Sequence, residues 1–232
     1  MYVPSSIAID HTAHAMIKWR VYFIKCQPYF LPETIMTMLS PDTLLSLLES
    51  LRGEPFYRAI LADFAANQDR ADENLRSYFD CAAREAADIG KLVLCDPPET
   101  GAALWSVPVD AAVSLPAKSA RHASIKGLLG PRGFENYKTI AGFMGKASAP
   151  HIKSSWWYLS IAGIAPSAQG KGYGSRLLAP TLAEADAEGA VCWLETFTPR
   201  NHAFYERLGF TKVASVFEPC TKQDYAVMVR DG

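Results

Sequence analysis

Three features are scarce in this 232-residue sequence: net charge, paired cysteines and long apolar runs. The formal net charge is −1, so no broad basic field favours nucleic acid or an anionic membrane surface. The apolar patch Val21–Ile24 is flanked by Arg20 and Lys25 and is far too short for a signal-peptide core or a membrane span. We therefore expect a cytoplasmic protein with neither nucleic acid nor a membrane as a partner.

The cysteines are odd in number and far apart in the sequence. They are Cys26, Cys81, Cys95, Cys192 and Cys220. No CxxC pair and no histidine at metal-ligand spacing accompanies them, so a disulfide framework and a zinc site are both disfavoured. We expect buried or half-buried thiols and no bound metal.

The sequence does contain enough apolar material for a packed core. Hydrophobic residues make up 49% of the chain and charged residues 20%, a balance typical of globular proteins. We predict one domain over residues 1–232, in which residues 1–40 are a poorly patterned arm and residues 114–150 a helical insertion. Within the arm, Trp19–Ile24 has the composition of a strand.

The first half of the chain predicts helices and one hairpin. The predicted helices are 41–51, 56–64, 75–89, 119–129 and 134–146, and the short apolar runs 91–95 and 102–107 form the hairpin. Ser40 stands where an N-cap of the first helix belongs, and Pro41 suits its first turn.

The second half alternates strands and helices. The predicted order is strand 156–165, helix 175–188, strand 191–197, helix 199–208, and strands 210–217 and 225–230. Thr198 is predicted to cap helix 199–208, and Gly209 to end it. Pro180 removes a backbone hydrogen bond inside helix 175–188, so we expect a bend there. The whole pattern favours an α/β fold.

A glycine-rich loop, Gln169–Ser175, lies between strand 156–165 and helix 175–188 and has the sequence QGKGYGS. Glycine lets a backbone curl closely around a ligand, and the free N–H groups at a helix N-terminus attract an anion. Lys171 adds a positive charge beside these donors. A loop of this composition also makes a tight corner without any ligand, so the neighbouring residues decide its role.

Three phosphate-binding patterns compete for this loop. A P-loop requires Ser or Thr after its lysine, and Gly172 follows Lys171, which excludes it. A Rossmann fingerprint requires GxGxxG directly after a strand and several βαβ units. Here the spacing is GxGxG, residues 166–169 intervene and too little chain remains. The third pattern, Gln-x-x-Gly-x-Gly after a strand and a proline turn, fits Gln169, Gly172 and Gly174.

This loop and the segment LETFTPRNHAFYERLGF, Leu194–Phe210, resemble the two cofactor motifs of the GNAT (Gcn5-related) N-acetyltransferases. The motifs occur in the family's order and at a fitting separation, whereas the N-terminal 50 residues match poorly. The WYL run before the loop and the FYERLGF run favour the puromycin N-acetyltransferase-like subgroup. The resemblance implies the GNAT fold, a mixed and mostly antiparallel sheet flanked by helices.

The resemblance also implies acetyl-CoA as the co-substrate, bound in a splay between strand 156–165 and strand 191–197. Backbone groups of Ala162 and Ile164 would bond to its pantetheine arm, and Gly163 would sit at the bulge that opens the splay. The pyrophosphate would be held by the loop residues Gln169, Gly170, Lys171, Gly172, Tyr173, Gly174 and Ser175.

Asn201 and Tyr205 are four residues apart in the second motif, so they share one helix face. The residue that matches Asn201 in the family contacts the cofactor arm. The residue that matches Tyr205 is the general acid for the leaving CoA thiolate. By the same analogy, the backbone N–H of Ile164 would hold the oxyanion.

The base that takes the proton of the amine is left open by the sequence. Glu195, on the strand beside the cleft, is the candidate, with His151, Tyr158 and a water chain as alternatives. Direct transfer in a ternary complex needs no protein nucleophile, so we expect Cys192 to be a core residue.

The resemblance predicts an N-acetyltransferase for the amine of a small molecule, with a protein N-terminus as a further acceptor to consider. Two hypotheses of other classes remain: a non-catalytic acyl-CoA-binding or sensor protein, and a Rossmann-like nucleotide binder with Glu195 on a ribose. Residues 1–40 would cover either the acceptor site or the partner in a homodimer.

Overall fold

The computed structural model describes residues 37–232, so the predicted strand Trp19–Ile24 lies outside the described residues. The helices are α1 (Pro41–Leu51), α2 (Pro55–Ile60), α3 (Gln68–Ile89), α4 (Ala111–Ser148), α5 (Tyr173–Glu188) and α6 (His202–Glu206). The strands are β1 (Gly90–Leu94), β2 (Gly101–Ser106), β3 (Trp157–Ile164), β4 (Cys192–Thr196), β5 (Thr211–Glu218) and β6 (Gln223–Arg230).

The described strands form one mixed sheet in the order β1-β2-β3-β4-β6-β5. Only the pair β3–β4 is parallel, and the remaining neighbours are antiparallel. The predicted mixed, mostly antiparallel sheet flanked by helices is confirmed, and so is the hairpin, which is β1–β2. A Rossmann sheet would be parallel throughout, so the topology is against the Rossmann-like hypothesis.

The first helices begin where the sequence predicts or slightly earlier. The Ser40 side chain accepts a hydrogen bond from the N–H of Thr43 at the start of α1, as an N-cap should. Helix α3 begins at Gln68 rather than at Leu75, because Asn67 caps it in the same way. The polar first turns of α3 carry little apolar periodicity, which is why the pattern placed its start too late.

Helix α4 replaces the two predicted helices and kinks between them. Gly130 has a φ of 70°, so the helix breaks there and resumes at Pro131. The carboxylate of Asp63 accepts a hydrogen bond of 2.8 Å from the N–H of Gly133 and so caps the second segment. A Cβ at residue 130 would lie 2.7 Å from that carboxylate, so the kink requires glycine.

The helices cover the sheet with two cores. One core joins α1, α3 and the first segment of α4 to one face of β2 and β3. The other joins α5 to the opposite face of the sheet and includes Cys192. Burial raises the pKa of the Cys192 thiol to about 11, as expected of a core cysteine.

An extra residue in β3 changes which core its side chains join. Trp105 pairs with Leu159 and Leu104 with Ile161, so Ser160 is the bulged residue. Leu159 therefore lies in the core of α5, whereas Ile161 lies in the core of α1 and α3.

The prediction of a bulge at Gly163 was wrong. Gly163 pairs in regular register with Ala102. A Cβ on it would lie 2.5 Å from Ser50 Oγ and 2.8 Å from a methyl carbon of Leu47. Glycine is needed here because α1 packs directly on the strand, which is a contact between distant residues that the local sequence does not display.

The C-terminal elements follow the predicted order with one correction. Gly209, at a φ of 89°, ends the helical segment that begins at Pro199 as a short 3₁₀ turn and continues as α6. Thr198 occupies the predicted N-cap position, but its side chain makes no capping hydrogen bond. Its hydroxyl lies instead against the carboxylate of Glu54. Helix α5 continues through Pro180 as a single element.

Candidate functional site

The parallel strands β3 and β4 separate halfway along their length. They pair at only three positions, ending with Leu159 opposite Leu194. Beyond the bulge, the N–H of Ala165 donates to a carbonyl on the β2 side. Because backbone groups alternate along a strand, those of Ala162 and Ile164 face the opposite edge, which β4 has left. The predicted splay is therefore present, with Ala162 and Ile164 at its open edge.

The glycine loop closes one end of this splay. Gly170 and Gly172 have φ values of 75° and 81°, which favour glycine. Gly172 precedes α5 and provides no side-chain cap, and the first helical hydrogen bond runs from the N–H of Arg176 to Gly172. The N–H groups before Arg176 are thus the unpaired donors expected at a helix N-terminus. The amide of Gln169 turns back and donates to the Ile164 carbonyl at 3.0 Å.

A cavity of about 550 Å³, here called the loop cavity, lies between this loop, β3 and α6. From the predicted set it is lined by Ala162, Ile164, Gln169, Gly170, Gly172, Gly174, Ser175, Asn201 and Tyr205. Lys171 is exposed on the loop, and the ring of Tyr173 lies 4.4 Å from the guanidinium carbon of Arg176; neither lines the cavity.

Two arginines that the sequence analysis did not single out also line the loop cavity. Arg200 and Arg207 are exposed, and neither pairs with a carboxylate within residues 37–232. Arg200 directly precedes Asn201, so a search for cations around the second motif would have found it. Together with the N–H donors of the loop, they make this cavity suitable for an anionic ligand.

A second cavity of about 380 Å³, here called the aromatic cavity, lies on the other side of Tyr205. Its aromatic walls are Phe56, Tyr57, Tyr78, Tyr137, Tyr158, Trp193, Phe197 and Tyr205. These residues come from α2, α3, α4, β3, β4 with the residue after it, and α6. Trp193, which the sequence analysis did not single out, stacks on Tyr158 at a centroid distance of 4.2 Å.

The two cavities share five lining residues, namely Leu51, Glu54, Ala162, Asn201 and Tyr205. Asn201 and Tyr205 therefore lie where the cavities meet, Asn201 at the end of the turn before α6 and Tyr205 within α6. The ring of Tyr205 is held edge-on by Phe204 and Phe210, at centroid distances of 5.1 Å and 5.9 Å. Burial, and secondly the charge of Glu54, raises the pKa of the Tyr205 phenol to about 12.

Glu195 lines the aromatic cavity but not the loop cavity, and both of its carboxylate oxygens accept hydrogen bonds. Ser148 donates to Oε1 at 2.5 Å and Tyr158 to Oε2 at 3.1 Å. Burial raises the pKa of the Glu195 carboxyl, and these two hydrogen bonds partly offset that rise. His151, the alternative base, lies exposed in the turn before β3 and lines neither cavity.

The sheet topology, the splay between β3 and β4, and the adjoining glycine loop define the GNAT fold. The model of the Acetyltransferase (GNAT) family matches residues 114–210, the stretch that carries both motifs and α4. An uncharacterized N-acetyltransferase of Schizosaccharomyces pombe is 36% identical over 61 residues, which are 26% of this chain and 25% of the yeast protein. The match thus spans about a quarter of that relative's length.

One solved structure supports the fold. A crystal structure of histone acetyltransferase HPA2 and related acetyltransferase from Corynebacterium glutamicum superposes with a TM-score of 0.54 at 24% identity, covering 82% of this chain and 89% of that one. PH1933 from Pyrococcus horikoshii covers 85% of this chain and 95% of its own, at 14% identity and a TM-score of 0.47. The family-model match and this fold support an acetyltransferase of the GNAT type. They do not confirm the predicted puromycin N-acetyltransferase-like subgroup.

The described residues contain neither a candidate membrane span nor a candidate metal site. Within residues 37–232, no helix has the length and apolarity needed to cross a membrane. No group of three or more His, Cys, Asp or Glu side chains in that part of the chain is placed to hold a metal ion. The four described cysteines are free thiols, two buried and two half-buried.

Proposed function

We propose that this chain is an acetyl-CoA-dependent N-acetyltransferase that acetylates the amine of a small molecule. The observation that carries the proposal is the meeting of the two cavities at Asn201 and Tyr205. The loop cavity has the N–H donors and arginines that suit an anionic cofactor, and the aromatic cavity has the ring-lined walls that suit an organic amine. A transferase requires both sites to open onto one point, whereas a protein that only binds CoA requires the first alone.

The loop cavity fits the co-substrate through its backbone. Unpaired N–H groups at the start of α5 suit a pyrophosphate, and Arg200 and Arg207 add positive charge beside them. The open edge of β3 offers the backbone groups of Ala162 and Ile164 to an extended arm. Gly174 has no room for a side chain, because a Cβ there would lie 3.0 Å from the ring of Phe204. The loop cavity therefore keeps its shape only with glycine at position 174.

The reaction is a direct transfer. The neutral amine attacks the acetyl carbonyl, a C–N bond forms, the C–S bond breaks, and the thiolate takes up one proton. Tyr205 is the proposed general acid. With its pKa raised to about 12, the phenol stays protonated at every physiological pH, and it stabilises the developing thiolate by donating a hydrogen bond to sulfur.

Glu195 is the proposed base for the amine. Its carboxyl pKa is raised by burial, which makes the ionised form a better proton acceptor than an exposed glutamate. The hydroxyl of Tyr158 donates to it at 3.1 Å and also lines the aromatic cavity, so it can pass the proton from the amine.

The shape of the aromatic cavity favours a small acceptor. Its walls include both segments of α4, with Arg121 on the first and Tyr137 and Met144 on the second. A protein N-terminus requires an open groove on this side instead. A volume of about 380 Å³ is in the range of small-molecule sites.

Calorimetric titration with acetyl-CoA, with NAD and ATP as controls, tests the cofactor, and an amine screen for CoA thiol release tests the transfer. Binding of acetyl-CoA alone, followed by thiol release with a small amine, is the expected result. Binding without turnover on any amine would favour the acyl-CoA sensor, and binding of NAD in place of acetyl-CoA would overturn the proposal.

A further inference from the structure

Glu54 and Thr198 both precede helical segments, and neither caps its own. Glu54 is the N-cap residue of α2 but makes no capping hydrogen bond, and the same holds for Thr198 before the segment that leads into α6. The Thr198 hydroxyl lies 2.5 Å and 2.6 Å from the two carboxylate oxygens of Glu54. Neither side chain accepts a hydrogen bond from the N–H groups of its own helical segment, as an N-cap side chain commonly does. The two side chains bond to each other instead.

The result is a carboxylate fixed at the junction of the two cavities. Glu54 lines both of them, whereas Glu195 lines only the aromatic cavity. The hydroxyl of Thr198 donates one hydrogen bond, so the remaining lone pairs of the Glu54 carboxylate stay available. No Lys or Arg within residues 37–232 forms an ion pair with Glu54.

The charges that line the aromatic cavity are unbalanced. Glu54 and Glu195 contribute two carboxylates, and Arg121 is the one cation among the lining residues. Arg121 is already engaged, because it lies 3.4 Å from the Glu85 carboxylate and donates to the Tyr78 hydroxyl at 3.1 Å. The cavity therefore has an excess of negative charge, walled by rings whose faces attract cations.

We propose that the acceptor is a cationic alkyl or arylalkyl amine, and that Glu54 binds its ammonium group at the junction and so determines specificity for charged acceptors. This inference rests on the proposed transferase function. The two carboxylates then have different roles. Glu54 binds and orients the ammonium end of the acceptor, and Glu195 accepts the proton that the amine loses. The aromatic rings contact the rest of the acceptor.

The test compares a charged probe with a neutral one of the same shape. Phenethylamine and 2-phenylethanol are titrated separately into CoA-saturated protein, for the unchanged chain, Glu54→Gln and Glu49→Gln. Glu49 is an exposed carboxylate on α1 that lines neither cavity, so it controls for the loss of one charge. The unchanged chain and Glu49→Gln should bind the amine at least about tenfold more tightly than the alcohol, and Glu54→Gln should reduce that ratio to about one.

An equal affinity for the two probes in the unchanged chain overturns the inference, and so does a preference that survives in Glu54→Gln. Thr198→Val gives a second arm that keeps the carboxylate but frees it, and it should lower the preference by severalfold. If Glu54→Gln fails to fold, an undiminished preference in Thr198→Val counts against Glu54. Acetyl-CoA affinity is measured in parallel, and its absence in the unchanged chain defeats the proposed function rather than this step.

Discussion

A Cβ on Gly174 would lie 3.0 Å from Cζ and 3.1 Å from Cε2 of Phe204, so the first turn of α5 and helix α6 touch through a bare backbone. This contact sets the width of the loop cavity, because Gly174 and Phe204 both line it. Gly172 is glycine for a different reason. Its φ is 81°, and a Cβ there would approach nothing closer than 3.9 Å. Gly174 is needed for the close contact with Phe204, and Gly172 is needed for its positive φ.

The first prediction separates these two roles. Gly174→Ala should weaken acetyl-CoA binding by about tenfold, or ~1.4 kcal/mol, because the methyl group pushes Phe204 into the cavity. Gly127→Ala is the matched control, since that exposed glycine of α4 has nothing within 4 Å of its Cβ position. It should keep full affinity and gain slightly in stability, because alanine is the better helix former. Calorimetry with acetyl-CoA and thermal unfolding measure the two effects, and an unchanged affinity in Gly174→Ala would remove the loop cavity as the cofactor site.

Gly172→Ala should act through the backbone. Holding alanine at a φ of 81° costs about 1–2 kcal/mol, so we expect a loss of stability or a reshaped loop. Acetyl-CoA binding should fall as well, because the N–H donors at the start of α5 move with the loop. Gly189→Ala is the control, since Gly189 is also in the left-handed region but ends α5 at its far end. It should cost similar stability without loss of acetyl-CoA affinity.

The arginines of the loop cavity make a prediction about which part of the cofactor they contact. Arg200→Ala and Arg207→Ala should each weaken acetyl-CoA binding by about three- to tenfold, and the loss should shrink as salt is added. Acetyl-pantetheine lacks the nucleotide and its phosphates, so its affinity should not change in either variant. A parallel loss for both ligands would place the arginines on the arm instead.

The sequence predicted the candidate site best where the site residues lie close together in a short segment of chain. The glycine loop and the Asn201–Tyr205 helix face require particular residues at short spacing, so the pattern predicts both, and the structure brings them to one junction. Glu54 was missed because Gly53 and Pro55 around it look like a helix interruption. Only packing between α2 and the segment after β4 brings it to Thr198.

The local rules failed where distant contacts override them. Thr198 has the right residue type for an N-cap, but the half-buried carboxylate of Glu54, 144 positions away in the sequence, takes its hydroxyl. The bulge at Ser160 has no local signature, because serine fits a regular strand and the register depends on how β2 and β3 pack against different helices. Tyr57 and Tyr78 are buried and also line the aromatic cavity, and nothing in the local sequence distinguishes these two roles.

Tyr205→Phe is the prediction that tests the general acid. The ring stays, so packing against Phe204 and Phe210 should hold, and acetyl-CoA affinity should change by less than about twofold. Loss of the hydroxyl should lower kcat by about 100-fold, since general-acid catalysis is typically worth that much or more. Tyr173→Phe, on a tyrosine that lines neither cavity, should leave kcat unchanged. Equal losses of kcat and affinity in Tyr205→Phe would instead indicate a structural tyrosine.

The pH dependence tests Glu195. A base works only when ionised, so activity should fall as the pH drops through the carboxyl pKa of Glu195, and burial places that limb above the ordinary range of glutamate. Ser148 donates to the carboxylate and lowers its pKa, so Ser148→Ala should move the limb to higher pH. Ser119→Ala is the control, since that exposed serine of α4 lines neither cavity. Glu195→Gln should abolish the limb together with most of kcat. A limb that stays in place in both Ser148→Ala and Glu195→Gln would assign the base to another group.

The same raised pKa has a consequence for stability. The folded chain binds the Glu195 proton more tightly than the unfolded chain does, so ionisation of this group lowers the free energy of unfolding as the pH rises through the unfolded and then the folded pKa. Glu195→Gln removes this contribution. Urea titrations should therefore show the stability of the unchanged chain dropping relative to that of Glu195→Gln as the pH rises above about 4.3, the pKa of an unfolded glutamate. An identical pH dependence in the two proteins would mean that the Glu195 carboxyl is solvated, and the argument for it as a tuned base would fail with it.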